Sequence, residues 1–240
     1  MKAIIVAAGR SSRLYPLTLE TPKTLLEIGG KSLIERSIKS LNAYGIDDIL
    51  VVIGFCQQKI KKSVGYKARY ILNPFFAETN NMASLWFAMP YLDGEDFIYM
   101  HSDVIFHQLL LNNLIQDKSS ADISLLVDFG ITDEEAMKVR CKDDSFIESS
   151  KSIPLNESVG EWTGIGRINS SAAKSLFSSI ESILLERRFQ DYDTAAFNIL
   201  ASQGLSFKLL PTDGLPWLEI DTREDLEKAK SLFDETRHES

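Results

Sequence analysis

Short apolar runs alternate with stretches of helical spacing through residues 1–127, and this alternation limits the chain to few architectures. Residues 2–8 contain AIIVAA, which has no polar alternation, as buried parallel strands do. Residues 32–44 place Leu33, Ile34, Ile38 and Leu41 at helical spacing, and Gly45 marks the end. ILVVI at 49–53 reads as a second buried strand, 57–64 as a short helix and 68–72 as a third strand. Helical spacing returns at 81–92, followed by a strand at 97–100, a helix at 107–116 and a strand at 123–127. Strands and helices joined by short links predict a doubly wound α/β sheet with helices on both faces. Ligands of such sheets bind beyond the carboxyl ends of the strands. That points to the residues after Ala8 and after Met100.

The second half reads differently. Residues 136–141 and 145–149 predict a hairpin around KDDS, and 162–168 another strand. Helices are expected at 172–188 and 194–203, a strand at 206–210 and an amphipathic helix at 223–233. No linker rich in Pro, Gly or Ser divides the halves, so one domain over 1–240 is expected, with parts at 1–127 and 128–240. The polar tail DETRHES is expected to fray.

A net charge of −8 argues against nucleic acid as a partner, because backbone neutralisation needs a basic face. A small anionic ligand sees only the local field and is not excluded. No apolar run approaches a membrane span, and the opening apolar run is too short for a signal segment. Cys56 and Cys141 are far apart and form no CxxC pair, which argues against a metal cluster or disulfide framework and fits a cytoplasmic location.

Four stretches offer chemistry. Between Gly9 and Lys23 a loop carries Arg13, Ser11 and Ser12, with Pro16 and Pro22 to stiffen it. Backbone N–H groups near Gly9, a forked guanidinium and an ammonium suit a phosphate cradle. A solvated loop with two stray cations is the plain alternative; neither GxxxxGK[ST] nor GxGxxG is present. Asp103, after the strand FIYM, is a candidate metal ligand or a turn cap. In WLEIDTREDL, Glu219 and Asp221 point the same way on an extended piece, while Thr222 and Asp225 have capping-box spacing. Asn80, Asn81 and Ser84 can read the edge of a base, or open a helix. His101, His107 and His238 lack metal-ligand spacing and read as structural or exposed.

Together these stretches carry a resemblance. AAGRSSRLYPLTLETPK resembles the signature of the sugar-phosphate nucleotidyltransferases, and HSDVIF, ESSKSI, WTGIGRI and WLEIDTREDL follow in that family's order. NNMASLW and EIDTREDL resemble the branch of small bacterial cytidylyltransferases that includes the CTP:phosphocholine enzyme. The resemblance implies an α/β Rossmann-like nucleotidyltransferase fold, a mixed, mostly parallel sheet with helices on both faces. It implies a nucleotide-binding half at 1–127 and an acceptor-binding half at 128–240. The implied reaction transfers CMP from CTP to a small phosphorylated or phosphonate acceptor and releases pyrophosphate. Ala7, Ala8, Gly9, Ser11 and Ser12 would line the nucleotide, with Asn80, Asn81 and Ser84 beside it. Arg13 and Lys23 would grip phosphates, and Asp103 and Asp221 would hold Mg²⁺, with Mn²⁺ as the alternative ion. Lys151 would meet the acceptor phosphate. Two departures stand out: GRSSR replaces the family's GxGSR, and SKS replaces EKP around Lys151.

A cationic acceptor such as choline or an aminoethyl group needs aromatic faces with carboxylates nearby. Trp86, Trp162, Tyr192 and Trp217, with Glu161, Asp191, Asp193 and Glu219, are the candidates for that acceptor site. The same aromatic residues serve equally as core. Inositol phosphate and sugar 1-phosphates are alternative acceptors, although the LGT-like base loop of the sugar branch is missing. A non-catalytic nucleotide sensor is the alternative from another class, and a homodimer is left open.

Overall fold

The computed structural model describes residues 1–233. The tail at 234–240, with His238, lies outside the described residues. In chain order the elements are β1 (Lys2–Ala7), β2 (Glu27–Ile28), β3 (Lys31–Ser32), α1 (Leu33–Ala43), β4 (Ile49–Ile53), α2 (Gln57–Val64) and β5 (Arg69–Leu72). They continue with α3 (Asn81–Phe87), α4 (Met89–Leu92), β6 (Phe97–His101), β7 (Val104–Phe106), α5 (Leu110–Ile115) and β8 (Ile123–Phe129). The second half holds β9 (Lys138–Lys142), β10 (Ser145–Ser150), β11 (Gly160–Ile168), α6 (Ser170–Leu185), α7 (Thr194–Ser202), β12 (Phe207–Pro211), β13 (Trp217–Glu219) and α8 (Arg223–Phe233). No helix among the described residues is long and apolar enough to cross a membrane.

One sheet of nine strands runs through both halves. The order β5-β4-β1-β6 is parallel throughout, because each strand is followed by a helix that returns the chain to the same end. The long strand β11 then pairs antiparallel with β6, and also with β8 and β9. Alternation along β1 divides the core. Ile4 and Val6 face a cluster built with α3, α4, α6 and α7, while Ala3, Ile5 and Ala7 face one built with α1, α2 and α5. Helices therefore cover both faces, as expected.

Two details differ from the periodicity. The helix expected at 81–92 breaks into α3 and α4 at Ala88, just before Pro90, which has no N–H to donate. A small antiparallel pair, β7 with β13, joins Glu219 to Val104 across the sequence. Beneath it a third apolar cluster collects Leu14, Ile28, Leu33, Ile105, Ile220, Leu226 and Ala229. This cluster ties the loop after β1, the segment after β6 and the start of α8 to one another.

Candidate active site

The carboxyl ends of β1 and β6 lie side by side, so the loops that leave them open onto one space. That space is a cavity of about 330 Å³. Of the residues singled out above, it is lined by Ala7, Ala8, Gly9, Ser11, Arg13, Lys23, Asn80, Asn81, Ser84, Asp103, Lys151, Trp162, Tyr192, Glu219 and Asp221.

At its centre is a charge cluster. Lys23 Nζ lies 2.6 Å from Asp103 Oδ2 and 2.7 Å from Asp221 Oδ1, and Arg13 Nη2 lies 2.7 Å from Asp221 Oδ2. Fully buried Leu14 anchors the loop that carries both cations. Burial works against the Lys23 charge, but Asp103, Asp221 and Glu219 hold its pKa well above the ordinary lysine value. Burial likewise opposes the Asp103 charge, and Lys23 and His101 outweigh it and keep the carboxyl below its usual range. Glu219 goes the other way: burial, then Asp103 and Asp221, push it up to about 7. Asp103, Glu219 and Asp221 each present an oxygen within 4.8 Å of the others. Three hard oxygen donors at the head of the cavity fit a Mg²⁺ or Mn²⁺ ion.

Ser11 takes the left-handed conformation, φ 51°, where the family's pattern has glycine. Its carbonyl accepts from Thr18 Oγ1 at 2.7 Å, which fixes the turn. Ser12 is exposed and is not among the residues lining the cavity. The amides of Asn80 and Asn81 and the Ser84 hydroxyl line the wall with their polar groups already engaged. Asn80 Oδ1 caps α3 by accepting from Asn81 N, and Asn80 Nδ2 donates to Gln190 O. Asn81 Oδ1 accepts from Asp193 N, and Ser84 Oγ accepts from Asn73 Nδ2.

Five acceptor candidates fall outside the cavity lining, among them Asp193, which is buried against Tyr99 and His101. Trp86 packs edge-on to Phe87 against the core, its indole N–H buried without a partner. Trp217 sits two residues back along β13, opposite Phe106, and donates its indole N–H to Asp128 Oδ2. Asp191 is taken by Arg188, at 2.5 Å. Glu161 alternates with Trp162 on β11 and so points to the other face. There burial, then Asp133, push its carboxyl up to about 7. Trp162, Tyr192 and Lys151 remain. Lys151 Nζ lies 5.9 Å from the Tyr192 ring centre and 3.7 Å from Glu135 Oε2.

His101, which by its spacing reads as structural or exposed, lines the cavity. Its Nε2 is 2.8 Å from Asp193 Oδ2, which also accepts from the Tyr99 hydroxyl. Burial disfavours the imidazolium, but Asp193 outweighs it and pushes the pKa up to about 9. Gly164, at φ +77°, leaves room for the ring: a Cβ there would lie 2.7 Å from His101 Nδ1. Sequence spacing carries no sign of this pair, since 92 residues separate its members.

Known proteins extend the picture. The chain is 30% identical over 241 residues to the bifunctional IPC transferase and DIPP synthase of Aquifex aeolicus, covering 98% of this chain and 52% of the relative. It therefore spans about half the length of that protein. It is 27% identical to the CTP:phosphoglutamine cytidylyltransferase of Campylobacter jejuni, covering 95% of this chain and 98% of the relative. The solved CTP:phosphocholine cytidylyltransferase of Streptococcus pneumoniae shares the fold, with a TM-score of 0.78 at 23% identity over 96% of this chain and 97% of that one. Residues 3–137, more than half of the chain, match the profile of a nucleotidyltransferase family, and the chain belongs to that family, the MobA-like NTP transferase domain.

Proposed function

We propose that this protein transfers CMP from CTP to a small phosphorylated or phosphonate acceptor and releases pyrophosphate. The observation that carries the reading is the cluster of Arg13, Lys23, Asp103 and Asp221 at the head of the cavity. Arg13 and Lys23 bind the triphosphate, and the glycine-containing loop after β1 brings backbone N–H groups to it. An oxygen of the acceptor's phosphate attacks the α-phosphorus. The new P–O bond forms as the bond from the α-phosphorus to the bridging oxygen breaks, and the electron pair leaves with pyrophosphate. The attacking group is already anionic near neutral pH, so no general base is needed. The chain's task is to neutralise two anions and align them. Mg²⁺ held by Asp103 and Asp221 would add neutralising charge on the triphosphate and on departing pyrophosphate. Lys151 lies in the cavity wall where a cation can meet the acceptor's phosphate.

A phosphocholine-like or aminoethylphosphonate-like acceptor would use the faces of Trp162 and Tyr192. A polyol phosphate such as inositol phosphate is the second reading. The observation favouring it is that Lys151 already stands over Tyr192, the place a quaternary ammonium would take. The test is pyrophosphate release with Mg²⁺ from each of four nucleoside triphosphates. The acceptors are phosphocholine, phosphoethanolamine, aminoethylphosphonate, inositol phosphate, glycerol phosphate and glucose 1-phosphate. Release with CTP and an amine-bearing acceptor supports the first reading, and release with CTP and a polyol phosphate the second. Release only with UTP or dTTP and a sugar phosphate overturns both. In the active pairing, Asp103→Ala and Asp221→Ala should each abolish turnover with an unchanged circular dichroism spectrum.

A further inference from the structure

At the head of the cavity two cations, Lys23 and Arg13, engage the two aspartates between them. Asp221 has both oxygens engaged, Oδ1 by Lys23 and Oδ2 by Arg13, and Asp103 Oδ2 is engaged by the same Lys23 ammonium. Lys23 is nearly enclosed, its side chain 9% exposed. The oxygens it holds are the ones a divalent ion would need. We propose that Lys23 is a resident counter-ion which closes the metal carboxylates until a triphosphate arrives, so that the divalent ion enters with the nucleotide and not before it. This inference rests on the nucleotidyl-transfer reading of the site.

The argument is one of charge and reach. An ion seated on oxygens of Asp103 and Asp221 at about 2.1 Å would face the Lys23 ammonium as a like charge only a few ångströms away. With no anion present, Lys23 has nowhere better to go. Moving it into water would take from Asp103 its ion-pair partner and leave Asp221 with Arg13 alone, in a half-buried site. A triphosphate changes the balance. Its oxygens offer Lys23 and Arg13 new anionic partners, and the ion it carries replaces them on the carboxylates. On the carboxylates the exchange is cation for cation, and the triphosphate takes up the two side-chain cations that are released. The backbone need not move, because Leu14 pins the loop and the lysine stem is long and flexible. Arginine at this position would keep the closure, whereas an uncharged side chain would remove it.

The test is Mn²⁺ binding to the nucleotide-free protein, followed by the electron paramagnetic resonance signal of free Mn²⁺. Wild type and Lys23→Arg should bind Mn²⁺ weakly, and Lys23→Met should bind it at least about tenfold more tightly, because the oxygens that Lys23 held on Asp103 and Asp221 are then released. The melting temperature gives a second readout. Lys23→Met should melt lower than wild type and be restored by Mn²⁺, while wild type should not respond to Mn²⁺ alone. If Lys23→Met is unfolded without metal, Mn²⁺ should restore its transition. Tight Mn²⁺ binding by nucleotide-free wild type, no gain in Lys23→Met, or no restoration by Mn²⁺ would each overturn the proposal. Neither CTP nor an acceptor enters this experiment. Inactivity with CTP alongside a gain in Lys23→Met would reject the CTP reading and keep the exchange.

Discussion

Glu161 and Trp162 are chain neighbours with opposite surroundings. Trp162 helps wall the cavity, while the Glu161 carboxyl is pressed by burial and by Asp133 until its pKa reaches about 7, from an ordinary value of 4.5. A carboxyl raised on folding holds its proton more tightly in the folded state. Its contribution is full below about pH 4.5 and declines as pH rises to about 7; above that the buried charge opposes folding. Glu161→Gln should therefore raise the melting temperature at about pH 8, with the gain vanishing near pH 4. A gain of about 1 kcal/mol would shift the midpoint of a chain this long by roughly 2–4 °C. Equal melting temperatures at pH 8 would show that the group is not held as described. At this scale the reading from sequence was uneven. Arg13, Lys23, Asp103 and Asp221 were legible because they sit in local motifs at strand ends. His101 was not, because its meaning comes from Asp193, Asn81 and the missing side chain at Gly164, which meet it only in the folded chain. For Trp86 and Trp217 the sequence leaves core and cavity open, because an aromatic residue reads alike in both, and the structure places them outside the cavity lining.

Elements with strong local signals formed where the sequence puts them. α1 begins at Ser32, whose hydroxyl accepts from Glu35 N at 3.4 Å, while Glu35 Oε2 accepts from Ser32 N at 3.1 Å. This reciprocal cap satisfies amide groups that the first turn leaves unpaired. Ser32→Ala should cost about 1 kcal/mol. Urea unfolding would show it as a lower midpoint with an unchanged slope. A loss within error would mean that packing of Leu33 and Ile34 alone fixes the start of the helix. The hairpin around KDDS is equally local: Asp143 and Asp144 take φ 50° and 60°, the left-handed pair that a two-residue turn requires. The pairing of β7 with β13 had no local signal. Each strand is three residues long, and Val104 and Glu219 come together only through the tertiary fold.

For the molecule as a whole, the decisive fact is that the halves share the nine-stranded sheet and the apolar clusters on its faces. The cluster on the α6 face draws on Ile4 and Val52 from the first half and on Trp162, Phe177 and Phe197 from the second. Unfolding should therefore be a single transition. Tryptophan fluorescence, reporting Trp86, Trp162 and Trp217, and far-ultraviolet circular dichroism should trace coincident curves in denaturant. Two separated midpoints would show that 1–127 and 128–240 are independent domains. The long strand β11 has a further consequence. It pairs with β6 through Ile165–Ile168, and with β9 at Gly160 and Glu161. One end pairs with the strand that leads to Asp103, the other with the hairpin that leads to Lys151. Heredity can thus work on the two ends separately. Changes in the hairpin and its neighbouring loops can retune which molecule is accepted while the ionic centre is inherited intact, a division of labour by which one ancestral frame can give rise to enzymes with different products.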